Sequence, residues 1–176
     1  AARRVKSPFR GALEPMSLVR VQLRQREGRE LAAVASAALL ESALDLHGRW
    51  PEAAVLMAVG ETLERGLPEH SAEAEPYRLV GAVLAGMRAG AGPRSAWVYF
   101  MAWFLRLHGV PAAPEGRRLP DGAAAAIRTF YRHPLAHFAA NALPPETLEP
   151  LKSVVYLALS AYLGRPLACE GALGEL

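Results

Sequence analysis

The chain has 176 residues, 52% of them apolar and 21% charged, with a formal net charge of +3. That is too apolar and too weakly charged for a disordered chain, and long enough to bury a core. Its one cysteine, Cys169, excludes an internal disulfide framework and any thiolate zinc cluster within the chain.

The longest uncharged apolar run, Ala96 to Leu105, is about half of what a membrane span needs. The N-terminus runs through Arg3, Arg4 and Lys6 to Pro8 and not into an apolar signal segment. A soluble cytoplasmic protein with no membrane partner is the expectation. The charge is unevenly spread: residues 1–30 carry a balance of +5 and residues 31–176 a balance of −2. The small overall figure therefore conceals a basic N-terminal segment on a nearly neutral body.

From Leu18 to Leu23, Val19, Val21 and Leu23 alternate with Arg20 and Gln22, the period-two pattern of a strand with one buried face. A second strand is predicted over Glu30 to Ala37, joined by the polar, glycine-containing spacer Gln25 to Arg29, so that Val19, Val21 and Leu23 bury against Leu31 and Val34. Beyond Leu40 the period becomes helical. Leu56, Val59, Leu63 and Leu67 form one amphipathic stripe and Val80, Val83, Leu84 and Met87 another, split by the polar stretch Pro68 to Pro76. A third helix begins near Arg94, is apolar nearly all round, and ends at Gly109 and Pro111, as expected of the central helix of a bundle.

Pro111 to Gly122 reads as a surface loop. Asp121 is expected to cap a helix running through Tyr131, which His133 and Pro134 break. Thr147 is expected to cap the last helix, with Pro150 tolerated in its first turn, up to a stop at Gly164 and Pro166. The outcome is an α+β chain: a β unit over residues 1–42 and a bundle of about six helices over residues 43–176.

Few residues suggest catalysis or metal binding. His133 and His137 stand four apart, but Pro134 interrupts the helix that would align them, and no acidic partner lies in the same turn. Cys169 has only Arg165 as a nearby basic residue and reads as an inert thiol. Trp97, Tyr99, Phe100, Trp103 and Phe104 could line a ligand pocket, but at helical spacing they read more simply as core. No phosphate loop, nucleophile elbow or zinc-protease motif is present. No enzyme, no cofactor and no metal are expected.

The basic segment offers more. Arg3, Arg4, Lys6 and Arg10 form an arm, and Arg20 and Arg24 project from the polar face of the first strand. Guanidinium groups on an exposed sheet face suit phosphate, which they can engage in bidentate fashion with release of counterions. The same charges on a solvated edge would serve solubility alone. Arg26 and Arg29 in the hairpin loop are further candidates, and Arg128 and Arg132, four apart on one helix, could form a second patch.

The opening stretch, with Ala2-Arg3-Arg4, Lys6-Ser7, Gly11, Leu13 and Pro15-Met16, resembles the bacterial RecO segment G-A-R-x-x-K-S-x-x-x-G-x-L-x-P-F. Leu105 to Pro111 is similar to that family's L-L-x-x-L-G-Y-x-P, and Leu148 to Leu167, ending Tyr162-Leu163-Gly164-Arg165-Pro166-Leu167, to its final helix and L-G-x-P-L-K-S close. The resemblance implies that the β hairpin is a remnant of an N-terminal OB-fold whose early strands precede Ala2, so that the chain as given cannot close a five-stranded barrel. It implies a recombination mediator that is not an enzyme. Such a protein binds single- and double-stranded DNA, anneals complementary strands, associates with RecR, and helps RecA replace single-stranded-DNA-binding protein, in the bacterial cytoplasm at the nucleoid. Many members carry a zinc-binding cysteine insert after the G-Y-x-P segment. Here Pro114 to Pro120 joins the helices directly, and Ala168 and Cys169 stand where the family has Lys-Ser. The competing reading is a helical ligand-sensing or protein-interaction module with no DNA role.

Overall fold

The computed structural model describes residues 9, 12–26, 28, 31–69 and 74–174. The chain divides into two compact units with the boundary between Gly48 and Arg49.

The first unit holds an antiparallel hairpin of β1 (Leu18–Arg24) and β2 (Ala33–Glu41), followed by the one-turn helix α1 (Leu44–His47). Val19 lies opposite Leu39, Val21 opposite Ala37 and Leu23 opposite Val34, which puts the apolar residues of both strands on one face. The other face pairs Arg20 with Ala38, Gln22 with Ser36 and Arg24 with Ala33. The register shifts twice, between Leu18 and Val19 and between Gln22 and Leu23, so that Leu40 and Ala35 are the extra residues of two bulges. The Ser36 hydroxyl donates to Gln22 Oε1 at 2.8 Å across the strands. At the base of the hairpin the Ala43 N–H donates to Ser17 Oγ at 3.3 Å, and His47 Nε2 donates to the Pro15 carbonyl at 3.1 Å.

Two expectations are corrected here. The second strand begins at Ala33, leaving Leu31 before it and 86% exposed, and extends past Ala37 to Glu41. The alanine-rich stretch has no alternation to fix its ends, so pairing with β1 sets them. The apolar face is also not buried: Val21 and Val34 are each 38% exposed and Leu23 is 62% exposed.

The second unit is helical: α2 (Trp50–Gly66), α3 (Ala74–Arg88), α4 (Pro93–Leu107), α5 (Ala123–Arg132), a 3₁₀ turn (Leu135–Ala139), α6 (Pro145–Tyr162) and the one-turn α7 (Glu170–Leu173). Together with the hairpin this gives the α+β order expected from the sequence. Helix α4 opens on Gly92 and Pro93, where the missing proline N–H has no intrahelical acceptor to lose, and every residue from Ser95 to Ala102 is buried. With no polar side to turn to water, it is packed by α2, α3, α5, α6 and the 3₁₀ turn. Trp97, Phe100 and Phe104 stack in sequence along it, with ring centroids 5.8 and 5.6 Å apart, and Tyr99 meets Phe130 edge to face at 5.7 Å. These aromatics are buried in the core, and Trp97 also borders a depression of about 200 Å³ with Lys152, Tyr156 and Leu173.

Two helix starts also differ from expectation. Gly122, in the left-handed region at φ 78°, precedes α5, and no side chain caps it, so Asp121 does not have the expected role. Helix α6 begins at Pro145 after Pro144, whose carbonyl accepts the Leu148 N–H at 3.0 Å. Thr147 thus lies within the first turn, and Pro150 falls inside the helix, where it removes the hydrogen bond to the Glu146 carbonyl.

The C-terminal residues are clipped to α2. Arg65 donates to the carbonyls of Leu163, Arg165 and Pro166 at 3.2, 2.8 and 3.0 Å, answering carbonyls left open past the end of α6. One turn away, Glu61 accepts the N–H groups of Ala168 and Cys169 at 2.7 and 3.1 Å and pairs with Arg65 at 2.9 Å. Burial alone would raise the Glu61 pKa, but these hydrogen bonds outweigh it and hold it at about 2. A carboxylate depressed on folding contributes stability that is present above its unfolded value of 4.5 and is lost as pH falls toward 2. The Glu61→Gln variant should therefore lose stability at neutral pH and show a flatter decline of Tm between pH 5 and pH 2 than the parent, measured by circular dichroism.

Gly86 of α3 faces Leu135 of the 3₁₀ turn so closely that an added Cβ would collide with the Leu135 side chain, which is fully buried. Alanine in a helix interior normally gains up to about 1 kcal/mol over glycine, whereas overpacking a tight core costs about 1–3 kcal/mol. Gly86→Ala should accordingly lower the urea midpoint, against the helix-propensity trend.

Candidate nucleic-acid interface

The polar face of the hairpin follows from the strand period. Arg20 and Arg24 are four residues apart on β1, which sets their Cα atoms about 13 Å apart on one face. Their cross-strand partners, Ala38 and Ala33, are too small to cover them. Both arginines are exposed, and neither forms an ion pair among the described residues. Arg26 is exposed just beyond the strand end. Arg3, Arg4, Lys6, Arg10 and Arg29 lie outside the described residues. In the second unit Arg128 and Arg132 are both exposed on α5, one turn apart.

Sequence reasoning missed a second basic site. Arg106, in the last turn of α4, stacks its guanidinium over two rings, 5.0 Å from the Trp103 centroid and 4.3 Å from that of Tyr131. Trp103 Nε1 donates to the Phe130 carbonyl and the Tyr131 hydroxyl donates to the Ala102 carbonyl, both at 3.1 Å, so each ring is braced across the α4–α5 contact. Burial raises the Tyr131 pKa, and the Arg106 charge opposes that rise. The Trp103–Arg106 spacing of three on a helix was a legible signal; the arrival of Tyr131 from another helix was not. Arg106 borders an open depression of about 440 Å³, walled by Val110, Pro111, Leu119 and Ile127. An adjoining one of about 560 Å³ is lined by Arg117 and Arg118, with Asp121 opposite in charge.

The other candidates resolve as follows. His133 and His137 stack at 4.2 Å, but His133 is the extended residue after α5 and His137 lies in the 3₁₀ turn, so no single helix carries both. No group of three or more His, Cys, Asp or Glu side chains converges among the described residues. Burial, then contact with Glu61, pushes the Cys169 thiol up from 9.0 to about 11. The folded protein should alkylate with iodoacetamide at pH 7.5 about a hundredfold more slowly than the urea-unfolded chain, as read by mass spectrometry of Cys169.

No family model matches the chain, and no solved structure matches it. It is 35% identical over 112 residues to the DNA repair protein RecO of Koribacter versatilis (strain Ellin345), an alignment covering 62% of this chain and 44% of that protein. The chain thus spans less than half the length of the curated relative it matches. A hairpin precedes a helical unit, the element order that the resemblance to RecO proteins requires, and over the aligned residues the chain is similar to this one.

Proposed function

We propose that the chain acts in DNA repair and homologous recombination as a non-enzymatic mediator, binding single- and double-stranded DNA and annealing complementary strands. In this reading it works with RecR to help RecA replace single-stranded-DNA-binding protein, in the bacterial cytoplasm at the nucleoid. The hairpin is then the remnant of an OB-fold, and its polar face is the primary contact with DNA. The observation that carries the reading is that face, where two exposed arginines, in no ion pair among the described residues, stand over alanine partners.

Annealing requires two polyanions to approach, and a multivalent cationic surface screens that repulsion without chemistry. Arg20 and Arg24 would supply the core of the surface, with Arg3, Arg4, Lys6, Arg10, Arg26 and Arg29 extending it. Arg128 and Arg132 would add a patch on the helical unit. Among the described residues no helix is long and apolar enough to cross a membrane.

Replacing Arg20 and Arg24 together by alanine should weaken binding to all sequences alike. Each phosphate contact contributes about 0.9 to the slope of log affinity against log salt on duplex and about 0.7 on single strands, so the double variant should flatten it by about 1.8 and 1.4 respectively. An unchanged slope, with the helical signal intact by circular dichroism, would remove the hairpin face from the interface.

A further inference from the structure

The Arg106 site has the form of a stacking platform. The Trp103 and Tyr131 rings meet edge to face at 5.1 Å, and their polar tips are consumed by backbone carbonyls, so their orientation is set by the α4–α5 contact and does not depend on the arginine. Arg106 lies over both rings and is itself exposed, so a planar cation is presented at the surface. Around it the depression is apolar, offering contact area but few hydrogen-bonding groups. Beyond that, Arg117 and Arg118 outnumber Asp121, and exposed Arg128 stands one turn after Ala124, which borders both depressions. A planar cation on a rigid aromatic base, with apolar walls and guanidinium groups beside it, complements a ligand that has flat π-faces and regularly spaced negative charge.

We infer that this corner of the helical unit is a subsite for single-stranded nucleic acid, in which an unpaired base stacks on the Arg106 guanidinium and flanking phosphates meet Arg117, Arg118 and Arg128. The inference rests on the nucleic-acid reading above and deepens it, because it separates two kinds of contact. The hairpin face meets phosphates, which duplex and single strand both present. The Arg106 platform needs a base face, which only an unstacked base exposes. The scarcity of polar wall groups makes the stacking indifferent to sequence, as a protein that handles any gap requires.

The test uses the full chain carrying Trp50→Phe. Trp97 is 1% exposed, so the ligand-sensitive emission then comes from Trp103. Oligothymidylate should quench that emission and bind about fivefold or more tightly than an abasic oligomer of the same length. Arg106→Ala and Arg106→Lys should both abolish the difference between the two oligomers, the lysine variant because it keeps the charge and loses the plane. Survival of the base-dependent difference in either variant overturns the subsite while leaving the hairpin interface standing. Quenching by an oligoglutamate peptide and not by oligothymidylate also overturns it, assigning the platform to an acidic protein segment. Failure to bind any nucleic acid at low salt overturns the nucleic-acid reading as a whole, and the subsite with it.

Discussion

The helical unit is organised by one constraint: α4 has no polar face. A helix buried from Ser95 to Ala102 must be covered on every side, and α2, α3, α5, α6 and the 3₁₀ turn are the covers. The aromatic ladder along α4 supplies three of the largest fully buried side chains, Trp97, Phe100 and Phe104, and Tyr99 meets Phe130 of α5 edge to face. The demand for close approach carries down to single atoms, as at Gly86, where α3 and the 3₁₀ turn meet with no space for a methyl group. Where the surroundings of α4 thin out, at its last turn, Trp103 becomes partly accessible and Arg106 reaches the surface. The stacking platform thus joins the core through Tyr99, whose ring centroid lies 6.3 Å from that of Trp103.

The hairpin obeys a different rule. Its two faces separate apolar from polar side chains cleanly, yet both are open. Bulges at Ala35 and Leu40 strengthen the local twist, and the bonds to Ser17 and from His47 close its base, so the unit is held by backbone pairing and polar ties more than by a core. Such an element orders charges in space without enclosing anything, which suits contact with an extended polyanion.

What could be read from the sequence was what local pattern determines. The alternation in β1, the all-round apolar character of α4, and the stops at Gly109 and Gly164 are properties of a few neighbouring residues, and each is present in the structure. Caps were less legible, because Asp121 and Thr147 have the right side chains but Gly122 and Pro144 have the backbone conformations that start those helices. The ends of β2 were obscured by a run of alanines that reads equally well in any register. Least legible were the constellations drawn from distant parts of the chain: Tyr131 arriving beside Trp103 and Arg106, and the 163–169 segment arriving beside Glu61 and Arg65. The candidate site divided the same way, with Arg20 and Arg24 visible in the strand period and Arg106 visible only once two helices are placed.

The clip at Arg65 bears on the order in which the molecule can be made. Its carbonyl partners lie 98 to 101 residues further along the chain. On a ribosome adding about 5–20 residues per second, they are synthesised on the order of 5–20 s after Arg65 itself. Before residues 163–169 are made, α2 can pack on α3 and α4 but lacks the C-terminal segment that Arg65 and Glu61 hold. The first helix of the unit is therefore among the last to be secured, and the seconds before closure are when the nascent chain is most open to proteases and to chaperones.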